Sequence, residues 1–175
     1  YTIGESESRN AVFRIETQTL PGKGKKSISG TPGSEMKEEF QTAYDYLQAN
    51  MRQLSKDESL DDHDVKIQVI NPSDATQGAE TSVGFLVGTI SSILERPVRP
   101  GLIVLGSMSL MGGLVNVGSL VDKLQLAVDS GASTVLLPAK NKGDFAKIPD
   151  EILDELELVF YTDPIEAASK AMQLE

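Results

Sequence analysis

The sequence predicts an α/β fold in which small mixed sheets pack with helices, and three observations carry that prediction. Segments with apolar residues at alternate positions take turns with segments whose apolar residues recur every three or four positions. The stretch from 81 to 95 is apolar nearly all round, as a helix at the centre of a domain must be. The 175 residues suffice for one domain with a sizeable core, or one with a small appendage.

Residues 1–10 are polar and without periodicity, so they are expected to form a flexible lead-in. From Ala11 to Leu20, alternation around Val12, Phe13, Ile15 and Thr17 predicts a partly buried strand. Pro21-Gly22 makes a turn, Lys26 to Gly30 reads as the second arm of a hairpin, and Thr31-Pro32-Gly33 ends it. Ser34 is a helix-capping residue type. Behind it, Met36, Phe40, Ala43, Leu47, Met51 and Leu54 mark the apolar stripe of a long amphipathic helix. A charged loop, Lys56 to Asp64, leads into a half-exposed strand of Val65, Ile67 and Val69. A polar loop from Asn71 to Glu80 precedes the central helix, Thr81 to Glu95, which Pro97 and Pro100 stop.

Leu102 to Leu105 is a short apolar strand, and the Gly-rich Ser107 to Val117 forms another strand or hairpin. Ser119 is expected to cap a helix running to Ser130, with Gly131 at its C-terminal end. Thr134 to Leu137 reads as a strand, Pro149 to Leu156 as a short helix and Leu158 to Tyr161 as a last strand. Pro164 to Gln173 closes the chain with a helix that has Pro in its first turn.

Composition narrows the function. A net charge of −10 disfavours direct contact with nucleic acid or anionic lipid. No apolar run approaches the roughly 20 residues that span a bilayer. Without Cys there is neither a disulfide framework nor a thiolate metal site, and His63 alone makes no histidine cluster. Tyr1 in place of Met, with no signal sequence behind it, suggests a piece of a longer protein.

Two residues stand out for chemistry. Lys123 shares one helical stripe with Leu120, Leu124, Ala127 and Val128, which directs a lysine at the core. Burial penalises an ammonium relative to the neutral amine, which is how a lysine becomes a base near neutral pH. The competing reading is a packed stem whose amine snorkels to water. Ser82 opens the apolar helix behind Gln77-Gly78-Ala79-Glu80, beside free backbone N–H groups that would suit an oxyanion. The competing reading is that Thr81 and Ser82 simply cap that helix. Pro21-Gly22-Lys23-Gly24-Lys25-Lys26 matches a phosphate loop in composition only and reads as a hairpin turn; Gly112-Gly113 with Gly118 lacks dinucleotide-loop spacing. Asp61-Asp62 with Asp64 reads as a solvated loop in preference to a weak cation site, and His63 beside them as a loop residue.

Several ordered segments resemble the proteolytic domain of Lon proteases, from about Phe13 to the C-terminus. Ile15-Glu16-Thr17, Leu20 through Lys25, Ser29-Gly30 and Met36-Lys37-Glu38 are similar to the family's opening hairpin and first helix. Asn71-Pro72-Ser73-Asp74-Ala75-Thr76 and Glu80-Thr81-Ser82-Val83-Gly84 resemble its P-E-G-A-T loop and D-G-P-S-A-G nucleophile motif. Val117 through Leu124 resembles I-G-G-L-K-E-K-L, Gly131 through Pro138 resembles G-I-K-T-V-L-I-P, and Asp144 with Ile148-Pro149 continues the match. The resemblance implies Ser82 as catalytic nucleophile and Lys123 as its general base.

Two departures mark a divergent branch, similar to the Lon-like proteins of bacterial phage-exclusion (BREX) systems. The nucleophile motif reads E-T-S-V-G instead of G-P-S-A-G. The family's T-G-E turn, whose threonine positions the lysine, is Leu105-Gly106-Ser107 here, leaving Ser107 or Ser109 to substitute. The resemblance implies a serine endopeptidase without metal or cofactor in this domain, acting on polypeptides in a cytoplasmic homo-oligomeric ring, a hexamer in that family. ATP and Mg²⁺ would belong to an ATPase module outside this chain, which has no Walker motif. The alternatives are a weak or inactive Lon-like assembly module of a larger ATPase, and a small-molecule binding domain built on the Gly-rich segments.

Overall fold

The structure, a computed structural model, describes residues 1–6, 9–30, 32–71 and 78–174. Its strands are β1 (Thr2–Ser6), β2 (Arg9–Pro21), β3 (Lys26–Gly30), β4 (His63–Ile70), β5 (Leu102–Val104), β6 (Ser107–Met108), β7 (Leu114–Val115), β8 (Thr134–Pro138) and β9 (Glu157–Tyr161). Its α-helices are α1 (Ser34–Asn50), α2 (Ser82–Ile93), α3 (Leu120–Asp129), α4 (Asp150–Glu155) and α5 (Pro164–Met172). Seven strands form one sheet in the order β3-β4-β2-β1-β5-β8-β9, and β6 pairs with β7 in a small ribbon. The mixed α/β class expected from the sequence is therefore the class observed.

The sheet has two halves with different surroundings. On one side β2 runs antiparallel to β1 and β4. There the sequence alternates, with Val65, Ile67 and Val69 buried while Lys66, Gln68 and Ile70 face outward. On the other side β5, β8 and β9 are parallel. Every residue of β5 and β8 is buried, as strands covered on both faces require. One apolar cluster joins α1, α2 and α5 to the sheet through Phe40, Leu47, Phe85, Leu86 and Ala168. A second, on the opposite face, joins α3 and α4 through Leu120, Leu124, Ala127 and Ile152.

α2 is the central helix that its composition predicted, with Val83, Phe85, Leu86 and Ile90 at 2% exposure or less. Each such side chain contributes about 1.5–3 kcal/mol of burial. Asn141 pins the approach to α3: its Oδ1 accepts from the Val117 N–H and its Nδ2 donates to the Val117 carbonyl. Tyr161 on β9 donates its hydroxyl to the Leu105 carbonyl at 2.6 Å, and burial pushes that phenol well above its usual range. Beside it Gly106 adopts φ +129°, and a Cβ there would lie 2.1 Å from the Tyr161 oxygen. Only glycine fits the corner that delivers Ser107.

Several local expectations need correction. Thr2–Ser6 form a strand in register with β2, from Thr2 opposite Phe13 to Ser6 opposite Arg9, where a flexible lead-in was expected. Ile3 is its one large apolar residue, too little for a period to show, and pairing with β2 makes the strand. β3 is not the second arm of a hairpin with β2. It pairs in parallel with β4, which lies between them. The connecting loop instead wraps Asp64, whose carboxylate accepts the Lys23 and Lys25 N–H groups at 2.9 Å each. Those two donors hold its pKa below the usual carboxylate value. Ser34 is the first residue of α1, Gly33 occupies the cap position, and no side chain caps the helix. α1 also ends at Asn50, followed by a single 3-10 turn, Met51–Gln53, before Leu54. Ser119 does occupy the cap of α3, but in a left-handed conformation, and its hydroxyl makes no capping bond.

Candidate active site

Ser82 is the first residue of α2 and is fully buried. Its hydroxyl does not cap the helix, nor does that of Thr81, which donates to the Gly78 carbonyl at 2.9 Å. Instead the Met108 N–H donates to Ser82 Oγ at 2.9 Å, and Ser82 Oγ donates to Ser107 Oγ at 3.3 Å. The capping alternative is thereby replaced. The ribbon strand β6 holds the serine from the side.

Lys123 lies on α3 with its side chain at 0% exposure, so it does not snorkel. The stripe that the sequence predicted is real, since Leu120, Leu124 and Ala127 are buried with it. Its Nζ makes a short ion pair with Glu80 Oε2. Glu80 stands two residues before Ser82, at the position of glycine in the G-P-S-A-G motif, and its φ is +62°. A non-glycine residue pays about 1 kcal/mol or more for such a backbone. The side chain at that strained position is the one that reaches the lysine.

Ser107 and Ser109 were the candidates to replace the orienting threonine. Ser107 donates to Oε1 and Oε2 of Glu39, both at 3.3 Å, and receives Ser82. Ser109 accepts from the Gly113 N–H at 3.0 Å. The partner that orients Lys123 is Glu80, which the sequence reading did not single out for that role.

Glu39 on α1 was also missed. Its Oε2 accepts the Ser82 N–H at 2.7 Å and its Oε1 accepts the Glu80 N–H at 3.3 Å. The next amide, Val83 N–H, is committed to the Gly106 carbonyl at 3.3 Å. The backbone donors expected to be free for an oxyanion are therefore occupied. A signal for Glu39 existed: it falls at i+3 from Met36 and four residues before Ala43, on the same core-facing stripe. The reasoning that picked out Lys123 applies to it equally.

The remaining candidates have local explanations. His63 Nδ1 lies 2.8 Å from the Ser59 carbonyl and Nε2 3.3 Å from Glu58. Asp61 accepts from Gln48 at 3.2 Å, and no group of three or more His, Asp or Glu among the described residues could hold a metal. The segment Pro72 to Thr76, compared above with the P-E-G-A-T loop, and Gln77 lie outside the described residues. No described helix is long and apolar enough to cross a membrane.

Comparison with known proteins places this geometry in context. The family model for the Lon protease (S16) C-terminal proteolytic domain matches residues 6–173. A Lon-like protease BrxL of Escherichia coli O9:H4 is 35% identical over 175 residues, covering 98% of this chain and 25% of that protein. Lon protease 1 of Thermus thermophilus is 34% identical over 152 residues, covering 85% of this chain and 19% of that protein. Lon protease of Escherichia coli K12 is 30% identical over 148 residues, 84% of this chain and 19% of that one. The chain thus spans about a quarter or less of the length of these relatives.

Proposed function

Because the chain belongs to the family of Lon protease (S16) C-terminal proteolytic domains, we propose that it hydrolyses peptide bonds with Ser82 as nucleophile and Lys123 as general base. The observation that carries this reading is a fully buried lysine whose amine reaches the loop opening the nucleophile's helix. In the reaction, Lys123 Nζ passes its extra proton to the Glu80 carboxylate, leaves it and, as a neutral amine, takes the Ser82 hydroxyl proton. Ser82 Oγ then bonds to the substrate carbonyl carbon, and the proton passes to the departing amine as the peptide bond breaks. Water attacks the resulting ester, Lys123 again taking and returning the proton, so that Ser82 regains its hydroxyl and the acid product leaves. The Ser82 N–H at the start of α2, once released by the Glu39 carboxylate that now occupies it, stabilises the oxyanion at both stages.

The rest of the proposal concerns the longer protein. The chain works in a cytoplasmic homo-oligomeric ring, a hexamer, on polypeptides delivered by an ATPase module that holds ATP and Mg²⁺; this domain needs no metal or cofactor and does not bind nucleic acid. The test is intact-mass spectrometry after incubation with a serine-directed acylating inhibitor. A single adduct, lost in Ser82→Ala and in Lys123→Ala while both remain folded, is expected. Full labelling of either variant refutes the pair.

A second reading rests on the burial of Ser82 and on the carboxylate at its N–H. In it, the domain is an inactive assembly module of a larger ATPase. Ring formation without labelling or turnover, even with the ATPase portion present, would favour it.

A further inference from the structure

We propose that Glu39 is a built-in occupant of the oxyanion site, holding the domain in a self-inhibited state that ends when α1 withdraws that carboxylate. The inference rests on the Ser82 reading above. An oxyanion site needs donors about 2.7–3.1 Å from the developing negative oxygen. The Ser82 N–H meets Glu39 Oε2 at 2.7 Å, within that range. The Glu80 N–H and the Ser107 hydroxyl close around the same carboxylate at 3.3 Å. A negatively charged group is also what the positive end of α2 favours. The carboxylate therefore satisfies the hydrogen bonds and the field that a tetrahedral intermediate would require.

This is not an ordinary helix cap. The cap residue of α2 is Thr81, whose side chain makes no capping bond, whereas Glu39 comes from a different helix 43 residues earlier. Its backbone is fixed by neighbours that face the core: Met36 and Phe40 are buried, and Phe40 packs against Phe85 of α2 at 5.7 Å between ring centres. Glu39 itself is only half-buried, so its side chain has an exit toward solvent. A rotamer change, or a small slide of α1 along α2, releases the donors without breaking the core. A substrate oxyanion and the Glu39 carboxylate cannot share them, because two negative charges would then meet at contact distance.

The experiment measures the rate of Ser82 acylation by intact mass in the wild type, Glu39→Ala and Glu39→Gln. Glu39→Ala should acylate roughly tenfold faster or more, since a single oxyanion donor is worth about 10²–10³-fold. Acetate should slow Glu39→Ala saturably by refilling the vacated site and leave the wild type unaffected, with chloride at equal ionic strength as control. A purely structural glutamate gives neither result. Equal or slower acylation in Glu39→Ala that is folded by circular dichroism, with wild-type labelling intact, overturns the plug and leaves the serine peptidase standing. If no form labels, the peptidase reading fails, and occupancy is then decided by thermal unfolding: acetate must raise the melting temperature of Glu39→Ala above that seen with chloride, and no rise overturns the plug as well.

Discussion

Ser82 sits where backbone groups converge, whereas Lys123 sits where apolar side chains do, and the two ends of the site differ accordingly. Around the serine the partners are the Met108 N–H, the Ser107 hydroxyl and a carboxylate borrowed from α1. All of them come from α1 and β6, elements separate from the helix that Ser82 opens. Around the lysine the partners are Leu120, Leu124 and Ala127 of its own helix, packed against the second core cluster. Among the described residues, Glu80 links the two ends, with its N–H on Glu39 and its carboxylate on Lys123. The difference teaches that the base end is set by packing and the nucleophile end by exchangeable hydrogen bonds, so regulation is easier at the serine.

The largest effect that sharpens this contrast is expected at Leu124, which is fully buried beside Lys123. Leu124→Ala should cost about 2–5 kcal/mol in urea unfolding, and the folded fraction should also acylate more slowly because α3 no longer fixes the amine. A stability loss with an unchanged acylation rate would break the claim that packing sets the base end.

A smaller effect is expected where the two ends meet. Glu80→Gln and Glu80→Gly both remove the ion pair, but only glycine relieves the left-handed backbone at φ +62°. The glycine variant should be more stable than the glutamine variant by about 1 kcal/mol, read as a difference in urea midpoints. Equal stabilities would show that the strain is absorbed elsewhere.

The smallest effect provides the acid-side background against which both ends are compared. Glu166, at the start of α5, is lowered from 4.5 to about 2, first by the Lys170 side chain and then by the Thr162 hydroxyl and N–H. A depressed carboxyl contributes stability that is present above the unfolded value and lost as pH falls from about 4.5 toward 2. Because the pair is partly exposed, the contribution is less than about 1 kcal/mol. Glu166→Gln should lower stability in urea near neutral pH by no more than this, and the difference from the wild type should vanish as pH falls from about 4.5 toward 2.

Much of this was legible because it is local. The stripe of Met36, Phe40, Ala43 and Leu47 marks α1, and the same arithmetic places Lys123 in the core of α3. The β4 alternation and the uninterrupted apolar run of β8 separate the half-solvated part of the sheet from the enclosed part. What was misread depends on distant partners. β3 pairs with β4 across α1 and not with β2, which a short loop joins to it, and β1 exists because β2 lies beside it. The hydroxyls of Ser82 and Ser119 have the right chemistry for caps, yet neither makes a capping bond.

The sequence by itself determined the α/β class, the central position of α2, the place of Lys123 on a core-facing stripe and the ordered motifs of the family. Each of these follows from residue type and short-range period. The tertiary structure alone decided which groups Ser82 and Lys123 face. Glu39 reaches Ser82 across 43 positions and Glu80 reaches Lys123 across another 43, and both contacts depend on how α1, α2 and α3 are placed around one sheet. Periodicity reports which face a residue occupies; only packing between elements fixes what stands opposite it.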